Sequence, residues 1–310
     1  MKSITALSAL FASLFISGSV FANPLTLFDY TVYAKNTISA ECSDFQGRTA
    51  AGGAVFLQDF TINLLPSQEQ GCALESDTSI RWTRGSTTAA SGAYESCVGA
   101  PFFPGGLDTV DTESNNYATA DFNGLNRQMD ALSAKLSSPF PNANVKQITL
   151  NINPIHSGGY LTLTGSPQQL LVVNVPGTNV SIQRYGIKLL GGLTPANIIW
   201  NFPNAQTLLI EGSGNDQYGM PGTFLAPNAQ VTFLSARITG ALFAGSIVGM
   251  ANSYSCDSAT LNAGQINGIC LNGLIAGMGC GAYTPPAPTP TPYPTPCPLP
   301  TPPTCDQCQN

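Results

Sequence analysis

Only 9% of the 310 residues are charged, against roughly 25% in ordinary soluble domains, while Gly (31) and Pro (24) are plentiful. The net charge of −6 and pI of about 4.6 exclude nucleic acid and anionic membranes as partners, because both select clustered Lys and Arg. A single histidine excludes metal centres built on several imidazoles.

Lys2 precedes an apolar run from Leu7 to Val20 that is broken only by Ser and Gly. Val20-Phe21-Ala22 places branched or small residues at the −3 and −1 positions of a cleavage site. Residues 1–22 are therefore expected to be a secretory signal peptide, with the mature chain starting near Asn23. The product would be secreted or held at the cell surface or outer envelope. No later stretch is long and apolar enough to span a bilayer.

"FDYTVYAKNTI" (Phe28 to Ile38) alternates apolar and polar residues, the pattern of a half-buried strand. In "FQGRTAAGGAVFL" (Phe45 to Leu57), Gly47, Gly52 and Gly53 are expected to bracket short β segments. Residues 71–115 read as irregular. In "TADFNGLNRQMDALSAKLSS" (Thr119 to Ser138), Phe122, Leu125, Met129, Leu132 and Leu136 recur at three- and four-residue steps. Asp121 caps the start and Pro139 stops the end, so one amphipathic helix is expected near 119–138. From Val145, "VKQITLNI", "GYLTLTG", "QQLLVVNVPG" and "NVSIQRYG" are short strands punctuated by Gly, Pro and Asn.

The chain then repeats itself. "NFPNAQTLLI" (Asn201 to Ile210) returns as "APNAQVTFL" (Ala226 to Leu234), with Pro203 and Pro227 24 residues apart. "RITGALFAGSIVG" (Arg237 to Gly249) returns 28 residues later as "QINGICLNGLIAG" (Gln265 to Gly277), matching Ile238 to Ile266 and Gly240 to Gly268. Periods of 20–50 residues signal stacked units. The expected fold is all-β, a right-handed β-solenoid over residues 23–283, with Asn and Gly at its corners; a β-sandwich is the alternative. From residue 284 to 310 proline occupies nearly every second position. That tail is expected to be a polyproline II spacer extending ~3.1 Å per residue.

An exported chain carries its cysteines into an oxidising compartment. Cys42, Cys72 and Cys97 lie early, Cys256, Cys270 and Cys280 late, and Cys297, Cys305 and Cys308 in the tail. All are candidates for disulfides or interchain bonds. Nine is odd, so at least one is free, modified or bonded to another chain. Pairing within each cluster leaves one over in each, so bonds between clusters are expected. Cys305-x-x-Cys308 has the spacing of zinc and redox motifs, but at the end of a proline tail a disulfide or a bond to a partner chain is the plainer reading.

The catalytic motifs are missing. His156 stands beside Gly158 and Gly159 in a surface loop, and no serine sits in a GxSxG elbow. Asp108, Asp111, Glu113 and Asp121 are oxygen ligands suited to Ca²⁺, but their spacing matches no calcium loop. They read as a solvated loop running into the helix cap. No carboxylate pair of the kind glycosidases use is evident. Asn179-Val180-Ser181 is a glycosylation sequon that reads as a turn. Trp82 and Trp200 read as core. Threonines along "YLTLTG" and "QVTF" suit an ice-binding ladder, but no regular row recurs on successive turns. The chain is thus read as non-catalytic, without a cofactor or metal, and with its ligand residues unassigned.

Three stretches, "FDYTVYAKNTISAECSDFQGRTAAGGAVFL", "NIIWNFPNAQTLLIEG" and "GTFLAPNAQVTFLSARITGALFAGSI", resemble the choice-of-anchor A family of bacterial surface proteins across roughly residues 25–250. The resemblance implies a secreted or surface-exposed adhesive domain, joined to a C-terminal attachment signal and without catalytic residues. This chain departs in its ending, which carries neither a sortase motif nor a transmembrane anchor. The stretches around Leu225 and Gly240 also resemble the β-solenoid of bacterial ice-binding proteins. The expected function is a bacterial adhesion or structural module, displayed through the proline spacer and binding a protein matrix or glycan. A carbohydrate-active β-helix enzyme and an ice-binding protein are the alternatives.

Overall fold

The computed structural model describes residues 26–63, 73–88, 110–113, 120–139, 143–151, 160–212, 219–250 and 264–267. In chain order, β1 (Val32–Ala34), β2 (Ile38–Gln46), β3 (Thr49–Ala51), β4 (Val55–Asn63), β5 (Leu74–Ser76), β6 (Ser79–Thr88) and β7 (Val110–Glu113) precede the helix α1 (Phe122–Ser137). β8 (Val145–Thr149), β9 (Tyr160–Thr164), β10 (Leu170–Asn174), β11 (Asn179–Gln183), β12 (Gly186–Leu190) and β13 (Ile198–Asn201) follow. β14 (Thr207–Glu211), β15 (Gly219–Pro221), β16 (Thr223–Leu234), β17 (Ala236–Thr239), β18 (Leu242–Met250) and β19 (Gly264–Asn267) complete them. The fold is mostly β, with one α-helix. Seventeen strands form one hydrogen-bonded array, and β9 pairs with β12 apart from it. The pairings are parallel, except that β7 runs antiparallel to β6.

The pairings fall into three ladders. The first runs β8, β10, β13, the start of β16, the start of β18, β1, β3 and β5. The second runs β11, β14, the end of β16, the end of β18 and the first halves of β2, β4 and β6. The third joins β15, β17, β19 and the second halves of β2, β4 and β6. The first strand, β1, lies in the middle of this array. Val32 pairs with Thr49 on one side and Leu242 on the other. The strands before α1 build outward from β1, and those after it start at the far end and work back to β1.

Both sequence repeats lie on paired strands. Leu208 pairs with Val231 and Ile210 with Phe233. The two Pro-Asn corners also meet, since Asn228 Nδ2 donates to the Pro203 carbonyl at 3.3 Å. The next position in that corner column is Gly245, where a Cβ would sit 2.8 Å from the Ala229 carbonyl oxygen. The 28-residue echo is the pairing of β17 with β19, Ile238 opposite Ile266; its remainder, from Gly268 to Gly277, lies outside the described residues. Gly222, at φ +109°, turns the chain from β15 into β16. That φ is open to glycine and strained for other residues.

Three expectations need correction. Phe28 to Ile38 is not one strand. A 3-10 turn (Leu27–Asp29) leads to β1, and the chain bends again before β2. All of β1 is buried, because its inner side packs in the core and its outer side lies under α1. Residues 71–115 are not irregular throughout. β5, β6 and β7 lie there, and Ile80 and Trp82 take their inward positions from pairing with Val55 and Leu57. Asn179 is not in a turn; it opens β11, whose Val180 and Ile182 alternate inward.

The helix covers the first ladder. Phe122, Leu125, Met129, Leu132 and Leu136 pack on Tyr33, Ala50, Val172, Ile199, Leu225 and Phe243. Asp121 Oδ1 accepts from the Gly124 amide at 2.8 Å, the expected cap. Ser138, before Pro139, is extended, as that position favours. Beneath the last turns, buried Asn201 donates to the Ser133 carbonyl, Ser137 Oγ and Asn174 Oδ1, and accepts from Ser133 Oγ. Gln147 and Asn174 donate to the Leu136 carbonyl. The ladder thus satisfies carbonyls that a helix end leaves open.

At the other end, Tyr33 Oη donates to Asn126 Oδ1 at 2.7 Å, and Tyr30 Oη to Glu75 Oε1 at 3.2 Å. Burial, then the Glu75 carboxylate, pushes the Tyr30 phenol far above the usual tyrosine range. Burial, then Asp77 and Asp121, does the same for Tyr33. A group whose pKa is raised on folding contributes stability below its unfolded pKa, here about 10. That contribution is lost as pH rises further. Urea midpoints are expected to fall steeply above about pH 10. The Tyr30→Phe, Tyr33→Phe double variant should show a shallower alkaline slope; an unchanged slope would contradict this origin.

Candidate functional site

With α1 on the first ladder, the outer side of the second is left partly exposed, although the Ser181 hydroxyl at its β11 end is buried. Its central outward row runs Ser181, Leu209, Thr232, Val248, Ser39, Phe56 and Arg81 across seven strands. At roughly 4.8 Å per strand the row spans about 29 Å. A flanking row holds Asn179, Thr207, Gln230 and Ser246, with Thr207 Oγ1 donating to Asn179 Oδ1 at 2.8 Å. Alternation puts Val180, Leu208, Val231, Ile247, Ile38, Val55 and Ile80 inside. Apart from Phe56 and a few charged residues, that alternation leaves hydroxyl, amide and aliphatic groups on the outer side. On the seven strands of the row its charges are Glu211, Glu41 and Arg81, and at its edge β7 sets Asp111 opposite Arg81 and Glu113 opposite Ser79. Among the described residues threonine does not recur along either row, since Thr207 faces Gln230 and Thr232 lies between Leu209 and Val248, so neither row is the regular threonine ladder expected for ice.

Glu41 and Glu211 do not form a catalytic pair. Three strand spacings separate them, about 14 Å, beyond the ~5–9.5 Å of glycosidase carboxylates. The third ladder is more charged, with Arg237 and Asp44 both opposite Gln265.

At the β2–β6 end of the second ladder lies a shallow depression of about 510 Å³, walled by Ser39, Glu41, Phe56, Gln58, Arg81 and Thr83. Phe56 is 44% exposed. Beside the depression the chain turns from the second ladder to the third through single residues with positive φ, Cys42, Asp59 and Arg84 on successive strands. Arg84 pairs with Asp59 and holds its carboxyl below the usual carboxylate range, with a smaller contribution from Gln58. Cys42 is disulfide-bonded; Cys72, Cys97, Cys256, Cys270, Cys280, Cys297, Cys305 and Cys308 lie outside the described residues.

Of the other candidates, Asp111 and Glu113 lie in β7, in register with Arg81 and Ser79 at the edge of this face, whereas Asp121 is the helix cap and Asp108 and His156 lie outside the described residues. Trp82 and Trp200 are buried, each donating its indole N–H to a carbonyl, of Phe60 and Pro221 respectively. Among the described residues no His/Cys/Asp/Glu cluster is placed to hold a metal, and no helix is long and apolar enough to cross a membrane. The sequence reading missed Phe56; its signal was an aromatic at an outward position of "AVFLQDF", legible only once the register was known.

Residues 25–254 match the family described as "Putative Ice-binding-like adhesive domain". The chain belongs to this family. Among solved structures it is similar to an ice-binding protein from the Antarctic ascomycete Antarctomyces psychrotrophicus, at 13% identity, covering 78% of this chain and 95% of that one, TM-score 0.42. It is also similar to a domain of Shewanella frigidimarina ice-binding protein 1, at 16% identity, covering 80% and 99%, TM-score 0.33. An ice-binding protein from an Arctic yeast is similar at 14% identity, covering 78% and 92%, TM-score 0.37. All three are ice-binding proteins. A search of the curated proteins finds no match.

Proposed function

We propose that this chain is a secreted, non-catalytic adhesion module of the bacterial surface, and that the outer side of its second ladder is the adhesive face. The observation that carries the reading is the division of labour between ladders: α1 seals the first, while the second stays broad, open and nearly uncharged. Family membership supports it. The stacked parallel strands are read as the turns of a right-handed β-solenoid. Residues 1–22 are the signal peptide and 284–310 a proline spacer whose cysteines tether the module. On this reading choice-of-anchor A proteins share the same kind of domain.

The purified chain is expected to adhere to hydrated solids such as cellulose, chitin or silica. Leu209→Arg with Thr232→Arg should cut retention at least tenfold, and Arg237→Ala on the third ladder should leave it unchanged. Equal retention by all three proteins would sink the reading. In the host, the protein should sediment with the envelope and be released by dithiothreitol.

A second reading, ice binding, is favoured by the family description. Thermal hysteresis of the purified chain, abolished by the same double substitution, would establish it over adhesion.

A further inference from the structure

We infer that the depression around Phe56 is a subsite for a neutral sugar unit of a glycan chain. The inference rests on the reading of the second ladder as the binding face and names its ligand class. Three large apolar side chains are exposed among the described residues, Phe56, Tyr160 and Leu190. Of these, Phe56 lines the depression. Its neighbours on the flanking strands are Ser39, too short to cover the ring, and Arg81, itself exposed. Removing apolar surface from water is favourable, so a ligand with an apolar face gains on covering the exposed part of the ring.

One step along the strands, Glu41, Gln58 and Thr83 stand abreast on β2, β4 and β6. They supply a carboxylate acceptor, an amide and a hydroxyl, and Arg81 adds a fork of donors. A pyranose has the matching anatomy: a C–H face for the ring and a rim of hydroxyls that donate and accept. Among the lining residues Glu41 and Arg81 balance in charge, and the adjoining strand β7 adds Asp111 in register with Arg81, so the site favours a neutral glycan over a polyanion. A peptide adding a strand is excluded here, because β4 is already paired on both sides, with β2 and β6. The open, shallow form suits one unit of a chain passing across the face, whereas a free small molecule is mostly enclosed when bound.

The test titrates the full mature chain with cellohexaose, chitohexaose, maltohexaose and mannohexaose by calorimetry. At least one is expected to bind saturably. Phe56→Ala should weaken it at least tenfold, Phe56→Trp should preserve it, and Glu41→Gln should weaken it severalfold. Phe56 is exposed, so Phe56→Ala should melt like the wild type. Binding of none of the four, or wild-type binding by Phe56→Ala, overturns the inference. Adhesion to solids that is lost in Leu209→Arg with Thr232→Arg, yet unchanged in Phe56→Ala, would overturn the sugar subsite and leave the adhesive face standing. Loss of both readouts in wild type would remove both.

Discussion

Trp200→Ala is expected to destabilise the protein by about 3–5 kcal/mol, the usual cost of truncating a fully buried large aromatic. Trp200 is 1% exposed on the inner side of the first ladder. Its ring stacks on Phe224 of the neighbouring strand, centroids 5.7 Å apart and 25° between planes, and Phe224 stacks in turn on Phe202 at 5.8 Å. Its indole N–H donates to the Pro221 carbonyl at 2.8 Å. Alanine removes both the stack and the donor. The gap cannot close readily, because β13 is bonded to β10 on one side and β16 on the other. Trp200→Phe keeps most of the packing and forfeits the hydrogen bond, so about 1–3 kcal/mol is expected. Urea unfolding followed by circular dichroism should rank wild type, Phe and Ala in that order. A chain of this size loses roughly 2–4 °C of midpoint per kcal/mol. An Ala variant as stable as the Phe variant would mean that the stack contributes little.

Period and chemistry were legible in the sequence to different degrees. The repeats at Pro203/Pro227 and Ile238/Ile266 specified real strand pairs, because stacked strands must present like residues at like positions to share one core. The helix was legible because its stripe of Phe122, Leu125, Met129, Leu132 and Leu136 has a period no strand shares. The order of the array was not. Nothing local in "TVYAK" says that Val32 will bond to Leu242, 210 positions on. β5 was missed, and β1 was read as part of a longer half-buried strand, for a related reason: both sides of these short strands are buried, one in the core and one against the helix layer. β6 was hidden by Ser, Thr and Arg at its outward positions, with Ile80 and Trp82 alone to mark its inner side. The open face was hardest to see. Its outward row takes one residue from each of seven strands scattered between Ser39 and Val248, and such a row exists only after register is fixed.

Met129→Asp is expected to detach the helix. Met129 is fully buried at the centre of the stripe that faces Tyr33, Ile199, Leu225 and Phe243. An aspartate there is an unpaired charge in an apolar layer, a cost of about 3–5 kcal/mol by analogy with broken buried pairs. The nearest polar groups of the layer do not offer relief, since Asn201, Ser133 and Asn174 already bond one another. The strand core is a separate apolar cluster that contains no residue of α1. The cheapest response is therefore local: the helix leaves and the strands stay. The variant should bind a hydrophobic dye on the bared first ladder and lose hydrogen-exchange protection in Phe122–Ser137, while amides of β14, β16 and β18 stay protected. Met129→Leu, which conserves volume, should cost under about 1.5 kcal/mol. Under local release, the adhesion proposed for the second ladder is expected to survive, because that face shares no side chain with the helix. If protection of β16 falls together with that of the helix, the two layers are one cooperative unit, and the adhesive face depends on a helix it never touches.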